Sequence, residues 1–147
     1  MSIPALQQAF QSLVVSTSGR GFTEITGEVA SWLRAIEADA GVLTLFVRHT
    51  SASLTIQENA DPDVTADLTD SLDRLAPEDL DYRHRQEGPD DMPAHVKSML
   101  TATSLQVPVM ASRMQLGTWQ GIYLIEHRAH PHRREVVIAY QGTRRSP

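Results

Sequence analysis

The sequence predicts an α+β fold: an antiparallel β-sheet, or a sandwich of two sheets, with two or three helices in one compact domain over residues 1–147. Three observations carry this. Short runs rich in Val, Ile, Thr and aromatic residues, bounded by Gly, Pro and Ser, dominate the chain. Two segments instead repeat apolar residues at helical spacing. A chain of 147 residues without cysteine suits a single domain, which buries roughly 68–70% of its unfolded surface and needs no cross-links.

The elements follow in order. Residues 10–17 (FQSLVVST) read as a strand, Ser18-Gly19-Arg20-Gly21 as a turn, and residues 22–26 as the return strand of a hairpin. Thr26 is the expected cap of a helix whose apolar face is Val29, Trp32, Leu33 and Ile36, with Gly41 ending the segment. Residues 42–49 (VLTLFVRH) form a strand that places Leu43, Leu45, Val47 and His49 on one face, so the imidazole lies at a rim. A short strand at 53–57 leads to Asp61-Pro62-Asp63, an N-cap with proline at the first helical position. Val64, Leu68, Leu72 and Leu75 then mark an amphipathic helix ending before Pro77. Strands are expected at 104–109, with Pro108 at an edge or bulge, at 114–116, at 119–128 and at 134–140. An apolar helical pattern starts at Val96, Met99 and Leu100. Strands are expected to pair mostly with their sequence neighbours.

Composition narrows the function. The formal charge of −5, with basic residues scattered, argues against nonspecific nucleic-acid binding, which needs clustered cations. No apolar run approaches the ~20 residues that span a bilayer. The stretch MSIPALQQAFQSLVV has neither a basic leader nor a continuous apolar core, so a cytoplasmic location is expected. Without cysteine, thiolate metal sites and a Cys nucleophile are excluded, and a transition-metal site must use His, Asp and Glu.

Chemistry-bearing residues concentrate in three stretches. His84 and His95 flank Glu87, Asp90 and Asp91 at a loop–helix junction. Imidazole is a common zinc ligand, three protein ligands leave one position open, and the third is sought in another segment, with His49 the first guess. The alternative is a hydrogen-bonded His–Asp cluster that stiffens the loop. His49-Thr50-Ser51-Ala52-Ser53 offers hydroxyls beside an imidazole, which suits phosphate, as against a plain polar turn. His49 and Ser51 share a strand face, but no nucleophile elbow surrounds the serine. In Glu58-Asn59-Ala60-Asp61-Pro62-Asp63, helix capping accounts for Asp61 and Asp63 and leaves Glu58 as a site candidate. Gly117 and Gly121 around Trp119-Gln120 suggest close backbone approach. Glu126 and Arg128, two apart on one strand face, suit an ion pair or an anion site.

Together, HTSASLTIQENADPDV, the YRH…GPDDMPAHVKSML block and LGTWQGIYLIEHR strongly resemble the YjbQ-like family, named for a secondary thiamine-phosphate synthase activity. The resemblance covers about residues 10–142. It implies a compact α+β fold and a homotrimer with sites near subunit boundaries. Its polar motif positions match His49, Ser51, Ser53, Glu58, Asp61, His84, Asp91, His95, Trp119, Gln120 and Glu126. After Glu126 the chain departs from the E-F-D-G-P-R of many members, placing it in an EHR branch with His127 and Arg128 as branch-specific candidates. The implied activity joins a pyrimidine diphosphate to a thiazole phosphate with loss of pyrophosphate. On this reading a phosphorylated small molecule is the substrate. His49, His84 and His95 hold a divalent metal or act as acid–base groups, with Glu58, Asp91 and Glu126 supporting the chemistry. Ser51, Ser53, Trp119, Gln120 and Arg128 bind substrate or anion. The ligand types favour zinc or another transition metal over magnesium.

Overall fold

The computed structural model describes residues 3–145. Its elements are β1 (Gln7–Ser16), β2 (Gly21–Glu24), α1 (Thr26–Ala35), β3 (Ala38–Val47), β4 (Ala52–Glu58), α2 (Pro62–Leu75), α3 (Asp91–Leu100), β5 (Ser104–Met110), β6 (Arg113–Met114), β7 (Gln120–Glu126) and β8 (Arg133–Arg144). Three helices and two antiparallel sheets give the expected α+β fold.

Strand pairing departs from expectation. The five-stranded sheet has the order β1-β8-β3-β5-β6 and the three-stranded sheet β2-β7-β4. The expected 10–26 hairpin does not form: β1 pairs with β8, while β2 crosses to the other sheet and pairs with β7. Only β5 and β6 are both consecutive and paired. Residues 102 and 103 connect the sheets, since Leu54 N–H donates to Ala102 O at 2.7 Å and Val47 N–H donates to Thr103 O at 2.9 Å.

Alternation decides which faces are covered. Leu43, Leu45 and Val47 on β3 and Val136, Ile138 and Tyr140 on β8 are buried in one core with Ile122 and Leu124 of β7. The helix face expected from Val29, Trp32, Leu33 and Ile36 lies against this core. Both faces of β7 are buried, because Ile125 and His127 point toward a small cavity shared with Leu72 of α2 and Lys97 of α3. The opposite face of the large sheet stays open: Phe10, Val14, Val42, Phe46 and Met110 are all exposed.

Capping is as expected at α2, where Asp61 accepts from Asp63 N–H at 2.9 Å and Pro62 opens the helix. At α1 it is not: Ile25 is the N-cap, and the Thr26 hydroxyl accepts from Ile122 N–H at 2.8 Å, tying helix to sheet. Gly41 does not end the helical segment either. It lies inside β3 at a register shift, where a Cβ would stand 2.2 Å from Gln141 O on β8. Pro108 is exposed but not on an edge strand: β5 runs between β3 and β6, Pro108 pairs with Val42, and its carbonyl accepts Gln115 N–H at 2.9 Å.

Candidate functional site

β7 and β8 place two opposite charges on buried positions. Glu126 shares a face with Leu124 and Ile122, and Arg134 shares one with Val136 and Ile138, so both side chains enter the interior. Arg134 Nε donates to Glu126 Oε1 at 2.8 Å, and its Nη2 donates to Glu126 Oε2 and, at 3.0 Å, to Ser51 Oγ. Thr17 Oγ1 and Arg128 N–H add bonds of 2.7 and 3.1 Å to the same carboxylate. Burial pushes the Glu126 pKa up, but the Arg134 and Thr17 hydrogen bonds outweigh it and hold the group ionised, below its usual range. The expected Glu126–Arg128 ion pair is replaced by Glu126–Arg134, because the Arg128 guanidinium turns to the start of α3.

There Arg128 Nε donates to Asp90 Oδ2 and Nη1 to Asp91 Oδ1, each at 2.8 Å, and Nη2 reaches Glu87 O at 3.0 Å. Ala129 N–H donates to Asp90 at 2.9 Å. For Asp90, burial is again outweighed, here by Arg128 and Ala129, and the pKa falls to about 2. Arg128 is thereby a clamp on two carboxylates.

The clamp leaves Asp91 Oδ2 facing two imidazoles: His84 Nε2 at 2.8 Å and His95 Nε2 at 3.2 Å. His95 follows Asp91 by four residues on α3, so both project from one helical face, and His84 arrives from the preceding loop. Among the described residues, His84, Asp91 and His95 form a metal-competent group with ligand atoms within 4.8 Å of one another. His95 Nδ1 lies 3.2 Å from Thr50 O. A carbonyl only accepts, so Nδ1 carries hydrogen and the lone pair of the neutral ring is on Nε2, facing a carboxylate oxygen. Two lone pairs so placed need a cation between them, a proton or a metal. Bonds of about 2.0–2.2 Å to a tetrahedral or octahedral ion separate ligand atoms by about 2.9–3.5 Å, and the two separations from Asp91 Oδ2, 2.8 and 3.2 Å, are close to that range.

His49 stands just past β3, outside this group. Its Nε2 accepts Glu135 N–H at 2.8 Å, which makes Nδ1–H the donor of its neutral ring. Burial and then the charge of Arg134 lower its pKa, favouring that neutral form. His49, Thr50, Ser51, His95 and Arg134, with Arg48 at the rim, line a cavity of about 690 Å³. The cavity therefore runs from a member of the His–Asp group to hydroxyls and guanidiniums.

The remaining expected residues fall elsewhere. Ser53 is fully buried, with its Oγ 2.8 Å from His127 Nε2. Burial and then Lys97 lower the His127 pKa to about 4, so it is a neutral interior group. Glu58 pairs with Gln120 at the end of the small sheet opposite Glu126, about 20 Å away by strand rise. Trp119 is 63% exposed, and Gln120 Oε1 accepts Gly117 N–H at 2.7 Å. Gly121 is crowded as expected, since a Cβ there would meet Glu24 Oε2 at 2.6 Å. His132 Nδ1 lies 2.7 Å from His130 O and 3.8 Å from Glu126 Oε1.

Arg134 and the Thr50 carbonyl were absent from the expected site, and Asp90, named there among the acids beside the histidines, was given no role. Arg134 had a readable signal, a cation at a buried position of an otherwise apolar strand. The Asp91–His95 spacing was a second.

Comparison with known proteins agrees with this architecture. The family model described as "UPF0047 protein YjbQ-like" matches residues 11–143. The chain is 46% identical to the UPF0047 protein sll1880 of Synechocystis, over 96% of this chain and 97% of that one. It is 44% identical to the UPF0047 protein YjbQ of Salmonella typhimurium, over 90% and 96%. A crystal structure of a YjbQ/UPF0047 protein from Clostridium acetobutylicum superposes with TM-score 0.82 at 37% identity, covering 88% of this chain and 98% of that one.

Proposed function

We propose a metal-centred site acting on a phosphorylated small molecule for this chain, which belongs to the UPF0047 YjbQ-like family. The observation that carries the reading is Asp91 Oδ2, clamped from behind by Arg128 through its other oxygen and met by His84 Nε2 and His95 Nε2. Two imidazole nitrogens and one carboxylate oxygen fit zinc or another transition ion better than magnesium. Bound there, the ion supplies a Lewis acid that neutralises charge on a phosphate oxygen. Thr50 O and Arg128 orient the ligands. Across the cavity, Arg48 and His49 Nδ1–H offer donors to the anion, while Glu126 keeps Arg134 and Ser51 in place.

Joining a pyrimidine diphosphate to a thiazole phosphate is the reaction to assay first. A carbon–nitrogen bond forms, a carbon–oxygen bond breaks and pyrophosphate leaves, so charge collects where the donors stand. The open face of the large sheet, with Phe10 62% and Phe46 48% exposed, borders this cavity through Phe46. We assign it to self-association as a homotrimer, which puts the site at a subunit boundary. Sedimentation should give about three times the 16.3 kDa chain mass.

The test uses untagged protein. Elemental analysis should find one transition ion per chain, and pyrophosphate release from the two substrates should depend on it. Absence of stoichiometric metal, with no zinc uptake by calorimetry, removes the metal. Metal uptake without turnover on any phosphorylated substrate leaves a binding protein, a role that the internal commitment of Arg134 and Arg128 also favours.

A further inference from the structure

On another part of the surface, α1 and the β5–β6 turn enclose a cavity of about 530 Å³ that shares no residue with the one at His49. Its floor is apolar: Leu33 is 3% exposed and Met114 packs on the core. Arg34, Arg113, Arg145 and Ser112 also line it. Elsewhere Arg20, Arg48, Arg85, Arg128 and Arg134 meet carboxylates, while Arg74, Arg83, Arg133 and Arg144 stand singly without one among the described residues; here three such arginines line one cavity. Among the described residues, no carboxylate lies within 4.0 Å of the Arg34, Arg113 or Arg145 guanidinium. Arg34 reaches only Ser31 Oγ, at 3.1 Å.

The rim is also held in an unusual shape. Ala111 and Ser112 have φ of 51° and 65°, consecutive left-handed residues of the kind a tight hairpin normally gives to Asn-Gly. Without a glycine at either position the turn is strained and must be held by its surroundings. Ser112 N–H is spent on Asp39 O at 2.9 Å, which fixes the turn against β3.

We infer that this cavity is a second ligand site, taking a phosphate monoester carried on an apolar body. Three guanidiniums and a hydroxyl suit the several oxygens of a dianion better than the two of a carboxylate. The Leu33–Met114 floor suits a ring or short chain attached to the phosphate. The inference does not depend on the metal reading, because the cavity contains none of the His–Asp group.

Calorimetry on chelator-treated full-length protein tests it, with phenyl phosphate as probe and inorganic phosphate and benzoate as comparators. Phenyl phosphate should bind at least about tenfold tighter than either. Arg34→Gln and Arg113→Gln should each weaken it about tenfold, the loss of one charge-assisted contact, while Arg74→Gln, outside both cavities and bonded like Arg34 to a serine three residues before it, should not. In amide spectra of the unchanged protein, the shifts on adding phenyl phosphate should centre on Leu33 and Ser112. Equal binding of benzoate, indifference to both arginine substitutions, an equal loss in Arg74→Gln, or the absence of shifts at Leu33 and Ser112 would each overturn the assignment.

Discussion

Arg134 Nε stands 2.8 Å from Glu126 Oε1, and both side chains are almost wholly enclosed. Neither strand can turn its charge outward without reversing the register of its apolar neighbours. Arg134→Ala should therefore destabilise the fold by about 3–5 kcal/mol, because it strands a buried carboxylate. Replacing both groups with apolar residues should cost much less. A urea-unfolding double-mutant cycle measures the difference, and additive losses would show that the two charges act independently.

Removing Asp91 or His95 should abolish tight zinc binding, with a fall in affinity of at least about 100-fold, because two protein ligands remain where three stood. Competition with a chromogenic chelator reads this directly. His49→Ala, outside the ligand group, should leave zinc affinity within a few-fold.

At the proposed metal site Arg128 would act only through Asp91, whose Oδ1 it holds at 2.8 Å. Arg128→Ala should weaken zinc binding about 10- to 100-fold, as loss of a partner behind a ligand does. It should also free the Asp90 carboxylate to titrate nearer its ordinary value. Arg128→Lys should restore charge but not the paired contacts to Asp90 and Asp91, so most of the loss should persist. Zinc affinity of both variants together with the Asp90 carbon shift against pH checks this.

The pH dependence of stability has two windows. His127 has a folded pKa of about 4 against an ordinary 6.5. Its protonation favours the unfolded chain, so stability is full above about 6.5 and falls as the pH drops toward 4, by up to about 3 kcal/mol. Asp90 has a folded pKa of about 2 against 3.8. Its contribution is present above 3.8 and disappears as the pH falls toward 2, by about 2 kcal/mol. His127→Gln should flatten the upper window and leave the lower one. Unfolding free energies measured on metal-free protein between pH 7 and pH 2 separate the two.

Periodicity made much of this fold legible. The apolar face of α1 and the alternation of β3 are local patterns, and each was assigned to the correct side, while for β8 only the strand itself was expected. Pairing was not legible, because β1 meets β8 across more than a hundred residues and nothing local at Ser18–Gly21 distinguishes a hairpin from a crossover between sheets. In the site, His84 and His95 were visible as histidines near acids. Their meeting point at Asp91 depends on a one-turn spacing that also reads as an ordinary helical ion pair. Glu58, Trp119 and Gln120 were grouped with the histidines by motif, yet they gather at the far end of the small sheet. Strand direction, rather than residue type, separates them.

The position of β8 between β1 and β3 has a consequence for synthesis. β8 is an interior strand of the large sheet that follows both of its partners in the chain, so residues 7–16 and 38–47 must wait without their shared partner until residues 133–144 have been made. Truncations that stop before residue 133 should yield chains that stay protease-sensitive however long they are incubated, since what is missing is an interior strand that joins β1 to β3 and not a strand at the margin.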